Sequence, residues 1–338
     1  MAGFLENEIA MAGRLVIAAA VLVAIPGLLG AQASRPPAAD QPARFRSSVD
    51  LVSVAAVVRD RKGRFVSDLS RDDFIVVEGG EKRPIVGFRA EQDGPINMAL
   101  LIDVSGSMRV GSKAVDAAQA ARHLLSALTS TDRAALFSFD TKLDRVHEFT
   151  SDFDAVLSAL GRVEPPFGQT SLYDAIADTA RAVAGKVNGK VNGQSRLPER
   201  AAIVVLTDGV DTHSRLTPAQ VSGIASNIDV PVYVLAVMSP IDDPEMMESE
   251  VSAAAGSLRD LAQWTGGELF TASVPAQASV AARQIVSELR HQYLIAFESS
   301  TRSGWRPLEV RARHRDLVVR ARSGYTAGGP PSAAVPGR

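Results

Sequence analysis

The pattern of apolar and polar positions changes character three times along the chain. From Ser48 it is strand-like: Val49, Leu51, Val54 and Val57 sit in a strand-forming run, Asp60-Arg61-Lys62-Gly63 turns the chain, and Phe74 to Glu78 is a second run closed by Glu78-Gly79-Gly80-Glu81. These predict a small β unit ending near Glu91. From Ile96 short apolar runs alternate with helix-period segments, which predicts strands at 96–102, 133–139, 201–207 and 231–237 and a short antiparallel piece near 146–149. Helices are predicted at 112–128, 152–160, 171–184, 217–227, 257–265 and 275–290. In the first, Val115, Ala118, Ala121, Leu125 and Leu128 recur at steps of three or four and make the expected buried stripe; the fourth opens on Thr217-Pro218 as cap and first residue. Strand and helix in alternation imply a mainly parallel sheet covered on both faces.

The third change comes near the end. Gln292 to Phe297 reads as the final strand of the α/β domain, after which Leu308–Ala312 and Leu317–Ala321 alternate apolar and Arg residues as a hairpin about His314-Arg315-Asp316. A lone hairpin is marginal in water, so it is expected to pair with the 48–91 unit. The expected fold is therefore α/β, three-layer and doubly wound, with a small flanking β module built from both chain ends. The expected divisions are a β module at 48–92, an α/β domain at 93–298, a hairpin completing the module at 299–326 and a disordered tail at 327–338. The tandem Lys-Val-Asn-Gly within 185–193 reads as a surface loop.

Length agrees with this division, since 338 residues exceed one ordinary domain of roughly 100 to 200. Residues 1–33 look like a signal peptide: Arg14 precedes the apolar stretch Leu15–Leu29, and Ala31-Gln32-Ala33 supplies small residues for cleavage near Ser34. Glu6 and Glu8 are unusual ahead of such a stretch and make Met11 an attractive start. An uncleaved anchor is the alternative, although the stretch, broken by Pro26 and Gly27, is short of the roughly 20 residues that span a bilayer. A linker at 34–47, rich in Pro, Ala and Arg, follows. The expectation is an exported protein, in the periplasm, cell envelope or outside the cell, touching a membrane only if the segment stays uncleaved. With no cysteine, thiolate catalysis, disulfides and cysteine lipidation are excluded, and a net charge of -2 gives no reason to expect nucleic acid.

Candidate chemistry lies in three segments that the parallel-sheet pattern brings to one edge, where ligands bind at a topological switch point. Asp103, Ser105 and Ser107 follow the strand at 96–102, Thr170 precedes the helix near Leu172, and Asp208 follows the strand at 201–207. Two carboxylates and three hydroxyls suit a hard cation such as Mg²⁺, with Mn²⁺ or Ca²⁺ as alternatives, and leave a coordination position open. Capping turns are the competing reading, but a cap needs one such residue and not three separated clusters.

Asp103-Val104-Ser105-Gly106-Ser107, Gly168-Gln169-Thr170-Ser171-Leu172 and Thr207-Asp208-Gly209 together resemble the metal-ion-dependent adhesion site of von Willebrand factor type A domains. The resemblance implies that Ser105 and Ser107 touch the metal, that Asp103 and Asp208 act through water, and that Thr170 joins when ligand is bound. The segments Val57–Arg64, Leu69–Phe74, Tyr293–Phe297 and Arg320–Tyr325 extend it, over roughly 48–326, to the exported VWFA-related proteins of Acidobacteria.

The acids Asp242, Asp243, Glu245, Glu248 and Glu250 are expected at the same edge, as a solvated loop or as an internal competitor for the open position. Arginines 306, 311, 313, 315, 320 and 322 read as the solvated face of the hairpin. The histidines are scattered, with His213 as the one bordering the metal face, and no nucleophile motif surrounds Ser105. The expected function is non-enzymatic capture of a protein ligand presenting a carboxylate. The rivals are a metal-assisted phosphohydrolase with Asp103 as nucleophile and a structural envelope protein.

Overall fold

Strand β5 (Ile96–Asp103) is buried along its whole length because both of its faces are covered. Ile96, Met98, Leu100 and Ile102 point into one apolar cluster, Ala99 and Leu101 into another. A computed structural model describes residues 51–90, 94–163, 168–187, 199–238, 257–299 and 303–327. The expected leader, the linker, the acidic loop at 241–250 and residues 328–338 of the tail lie outside those residues.

The central sheet holds β5, β6 (Arg133–Phe139), β7 (Leu143–Thr150), β8 (Arg200–Thr207), β9 (Val232–Val237) and β10 (Leu269–Ala272), in the order β10-β9-β8-β5-β6-β7. Every pair is parallel except β6 with β7. One face is covered by α1 (Lys113–Ser126), α2 (Phe153–Leu160) and α6 (Pro275–Arg290), the other by α3 (Leu172–Val187), α4 (Pro218–Ile228) and α5 at 257–265. This is the expected three-layer, doubly wound fold. Because β6 and β8 flank β5 on opposite sides, the switch point falls between β5 and β8.

The flanking module is a sandwich of two antiparallel four-stranded sheets. Strands β1 (Leu51–Arg59), β4 (Ile85–Arg89), β11 (Gln292–Glu298) and β13 (Val318–Ala321) form one sheet, ordered β13-β1-β11-β4. Strands β2 (Phe74–Glu78), β3 (Glu81–Arg83), β12 (Gly304–Ala312) and β14 (Gly324–Ala327) form the other, ordered β14-β12-β2-β3. Between them pack Val54, Val58, Phe74, Val76, Tyr293, Ile295, Phe297, Leu308, Val310 and Tyr325. The α/β unit is thus inserted between β4 and β11 of a sandwich contributed by both ends of the described chain.

Several expectations change. The 292–297 run does not close the α/β sheet; as β11 it pairs with β1 and β4, so the α/β elements end with α6 at Arg290. An unbroken apolar run marks any strand covered on both faces and does not say which sheet covers it. The α/β sheet ends instead on β10, whose four residues are too few for a periodic signal. The segments at 308–312 and 317–321 do not form a hairpin: β12 pairs with β2 and β14, β13 with β1, and the turn between them crosses from one sheet to the other. Residue 327 belongs to β14 and not to a disordered tail. Helix α3 runs on to Val187, into the segment read as a loop. In α1 the buried face is Ala117, Ala120, Ala121, Leu124 and Leu125, while Val115 is 67% exposed. Small alanines let α1 approach α6 closely, and that contact sets the rotation of the helix. Arg320 and Arg322 are not solvated: Arg320 bonds Glu268 and Glu288, and Arg322 donates to the carbonyls of Ser226 and Ser53.

Candidate functional site

The carboxyl ends of β5 and β8 are adjacent strands' ends at the switch point, and each carries an acid there. Asp103 is the last residue of β5; Asp208 directly follows β8, and Gly209 after it takes a φ of 87°, a left-handed turn that suits glycine. Asp103, Ser105, Thr170 and Asp208 are all buried, while Ser107 is half-buried.

Hydrogen bonds order the cluster. Asp103 accepts the backbone N–H of Ser105 on Oδ1 (2.9 Å) and the hydroxyl of Thr207 on Oδ2 (2.6 Å). The Ser105 and Ser107 hydroxyl oxygens lie 3.0 Å apart. Gly106 N–H donates to the carbonyl of Gly168 (3.1 Å), which brings the loop carrying Thr170 against the turn after β5. Burial pushes the Asp103 carboxyl up to about 6, against the bonds from Thr207 and Ser105 and with help from the negative charge of Asp208.

Thr170 is mounted on the segment that follows Asp208. Its N–H donates to the Thr212 hydroxyl (2.9 Å), and its carbonyl accepts from the N–H groups of Thr212 (3.0 Å) and His213 (2.9 Å). The start of α3 is capped from the same segment, with Asp211 accepting from Leu172 N–H (2.8 Å) and the Ser214 hydroxyl accepting from Tyr173 N–H (3.0 Å). His213, expected at the rim, is exposed and contributes its backbone to Thr170.

The sequence reading missed Lys113. Its ammonium lies 3.1 Å from Asp208 Oδ2, with both side chains buried. It also missed the bond from Thr207, which it named only as part of the Asp208 motif, to Asp103, and the 211–214 clamp. All three act across long sequence separations and leave no periodic trace. Thr207 alone had a visible cue, as the hydroxyl beside Asp208.

No group of three or more His, Cys, Asp or Glu side chains gathers among the described residues. The donor set at this edge is therefore two carboxylates and three hydroxyls, all hard oxygen, and it suits a hard dication better than a soft one. The Lys113 ammonium pairs with Asp208 at the same edge.

Residues 98–210 match the family model described as von Willebrand factor type A domain. No curated protein matches the chain. Among solved structures the chain is similar to BatB from Bacteroides thetaiotaomicron, at 18% identity over 57% of this chain and 98% of that one, with a TM-score of 0.44. It is also similar to a von Willebrand factor type A protein from Catenulispora acidiphila, at 14% identity over 84% and 76% of the two chains, with a TM-score of 0.46. A third is proximal thread matrix protein 1 of the mussel byssus, described with a zinc-occupied MIDAS motif, at 14% identity over 63% and 49%, with a TM-score of 0.43.

Proposed function

We propose that this chain, whose residues 98–210 are a von Willebrand factor type A domain, is an exported, non-enzymatic binding protein that captures an acidic group of a partner protein. The observation that carries the proposal is the convergence of Asp103, Ser105, Ser107, Thr170 and Asp208 at the switch point. Asp103, Ser105, Ser107, Thr170 and Asp208 would hold Mg²⁺, Mn²⁺ or Ca²⁺. When bound, such an ion supplies an electrophilic position for a partner's carboxylate. The chain's own part is positional: Thr207 and Ser105 N–H orient Asp103, and residues 212–213 hold Thr170 on the same segment as Asp208. A nucleophilic role for Asp103 is disfavoured by its burial and by the bonds already made to both of its oxygens. Export rests on the apolar segment after Arg14; among the described residues no helix is long and apolar enough to cross a membrane.

Titration calorimetry of the full chain with MgCl₂ tests the site. One binding event is expected, lost in Asp103→Ala and weakened in Ser105→Ala/Ser107→Ala, and a glutamate-rich peptide on a sensor surface should bind in Mg²⁺ but not in EDTA. Equal Mg²⁺ binding by the parent and Asp103→Ala would refute the assignment.

A further inference from the structure

Lys113 breaks two local rules at once. It is the first residue of α1, where the helix presents its positive end and disfavours a cation, and it is buried, where an ammonium costs several kcal/mol without compensation. A tie to the segment after β8 needs no charge, because neutral hydrogen bonds from Thr212 and Ser214 already tie Thr170 and the start of α3 to that segment. One compensation for the Lys113 charge is Asp208, at 3.1 Å. Asp208 in turn lies close enough to Asp103 for their charges to repel. Residues that violate local preference are expected where function requires them.

We propose that Lys113 is a specificity-determining residue of this edge: a built-in counter-cation that holds Asp208 in the metal-free protein and lowers affinity for a dication. The inference rests on the metal-site reading above. With Asp103 and Asp208 ionised and Lys113 charged, these three side chains together carry one net negative charge where the two carboxylates alone would carry two. A dication entering this site must share Asp208 with an ammonium it repels. A partner's carboxylate restores the missing negative charge, so cation uptake is coupled to ligand capture. A site of two unopposed carboxylates would fill with ambient cation whether or not a partner were present.

The test is calorimetry of the full chain with MgCl₂ alone, comparing the parent, Lys113→Met, Lys113→Arg and Asp103→Ala, with thermal unfolding in EDTA and in Mg²⁺ as a second readout. Removing a like charge a few ångströms from the ion is expected to tighten Mg²⁺ at least about tenfold in Lys113→Met, and Lys113→Arg should stay within about threefold of the parent. In EDTA the Lys113→Met midpoint should fall, since Asp103 and Asp208 then face each other unopposed, and Mg²⁺ should restore it. If Lys113→Met does not fold, Lys113→Gln, which keeps a hydrogen bond to Asp208 without the charge, must show the same tightening. Unchanged or weaker Mg²⁺ binding in the neutral variants, with binding retained in the parent, overturns the proposal and leaves Lys113 as a structural tie. Absence of any Mg²⁺ heat or Mg²⁺-dependent midpoint in the parent and in every variant overturns the metal-site reading itself, and the proposal with it.

Discussion

Replacing Asp132 with Ala should cost the protein a large part of its stability without touching the candidate site. Asp132 is fully buried where three elements meet at the amino edge of the parallel sheet. Its Oδ1 accepts from the N–H of Ile96, the first residue of β5, at 2.9 Å and from Arg290 Nη1 at 3.0 Å. Its Oδ2 accepts from Thr129 N–H at 2.7 Å, from the Thr129 hydroxyl at 3.0 Å and from Arg290 Nη2. Truncation strands two backbone donors, at about 1–3 kcal/mol each. It also removes the partner of a largely buried guanidinium; breaking such a pair costs about 3–5 kcal/mol, and because Arg290 keeps some access to water the sum should stay near 4–6 kcal/mol. The pH dependence has a definite sign. Burial raises the Asp132 pKa, but the bonds from Arg290, Thr129 and Ile96 outweigh it and leave the group below the ordinary value of 3.8. Its contribution is therefore complete above the unfolded pKa and is lost as pH falls through the lower folded one. Urea unfolding of the parent, Asp132→Ala and Asp132→Asn should show a gap between parent and Asn that holds from pH 7 to about pH 5 and closes only below about pH 4. A loss under about 1 kcal/mol for Ala at pH 7, or a parent-to-Asn gap that does not narrow toward pH 3, would refute the reasoning.

Two further substitutions probe the joint between the sandwich and the α/β unit and the edge of the central sheet. Glu288→Gln should lower stability by about 3–5 kcal/mol in urea unfolding, because Glu288 is fully buried and bonded to both Arg59 of β1 and Arg320 of β13; a second substitution, Arg59→Met, should recover part of the loss. Gly267→Ala should destabilise by more than about 2 kcal/mol and expose the β9–β10 amides to hydrogen exchange, since a Cβ there would sit 2.0 Å from the Val232 carbonyl oxygen; unchanged protection in β10 would count against that close approach.

What was legible in the sequence was whatever local periodicity encodes. Helices α2, α4 and α6 fall within a residue or so of their expected spans, and Thr217 caps α4 through a reciprocal box with Gln220. The edge that gathers Asp103, Ser105, Ser107, Thr170 and Asp208 was legible too, because parallel-sheet topology sends all three loops to one side. What periodicity does not encode is partner choice. The alternation in β12 and β13 set which side chains face inward but not that the two strands join different sheets, and the full burial of β11 looked the same as that of a central parallel strand. Val115 matched a helical stripe, yet the packing of α1 alanines on α6 turned it to solvent. Lys113 was invisible for a related reason: a lysine in the first turn of a helix reads as a solvent-facing residue until the strand carrying Asp208 is placed beside it.

The placement of the sandwich keeps the joint between the two units away from the candidate site. The chain crosses between the two units twice, from β4 to β5 and from α6 to β11, and both crossings lie at the amino edge of the parallel strands. The polar contacts named above that join the units are at the same edge: Arg59 and Arg320 on Glu288, Arg320 on Glu268, and Arg322 on the carbonyl of Ser226. Asp132 and Arg290 fasten the start of β5 to the end of α6 there as well. The carboxyl edge, with Asp103 and Asp208, carries none of these joints. Inserting a doubly wound unit through its amino edge leaves the acids and hydroxyls of the candidate site, among the described residues, apart from the contacts that hold the two units together, so substitutions at that site should leave the joint intact.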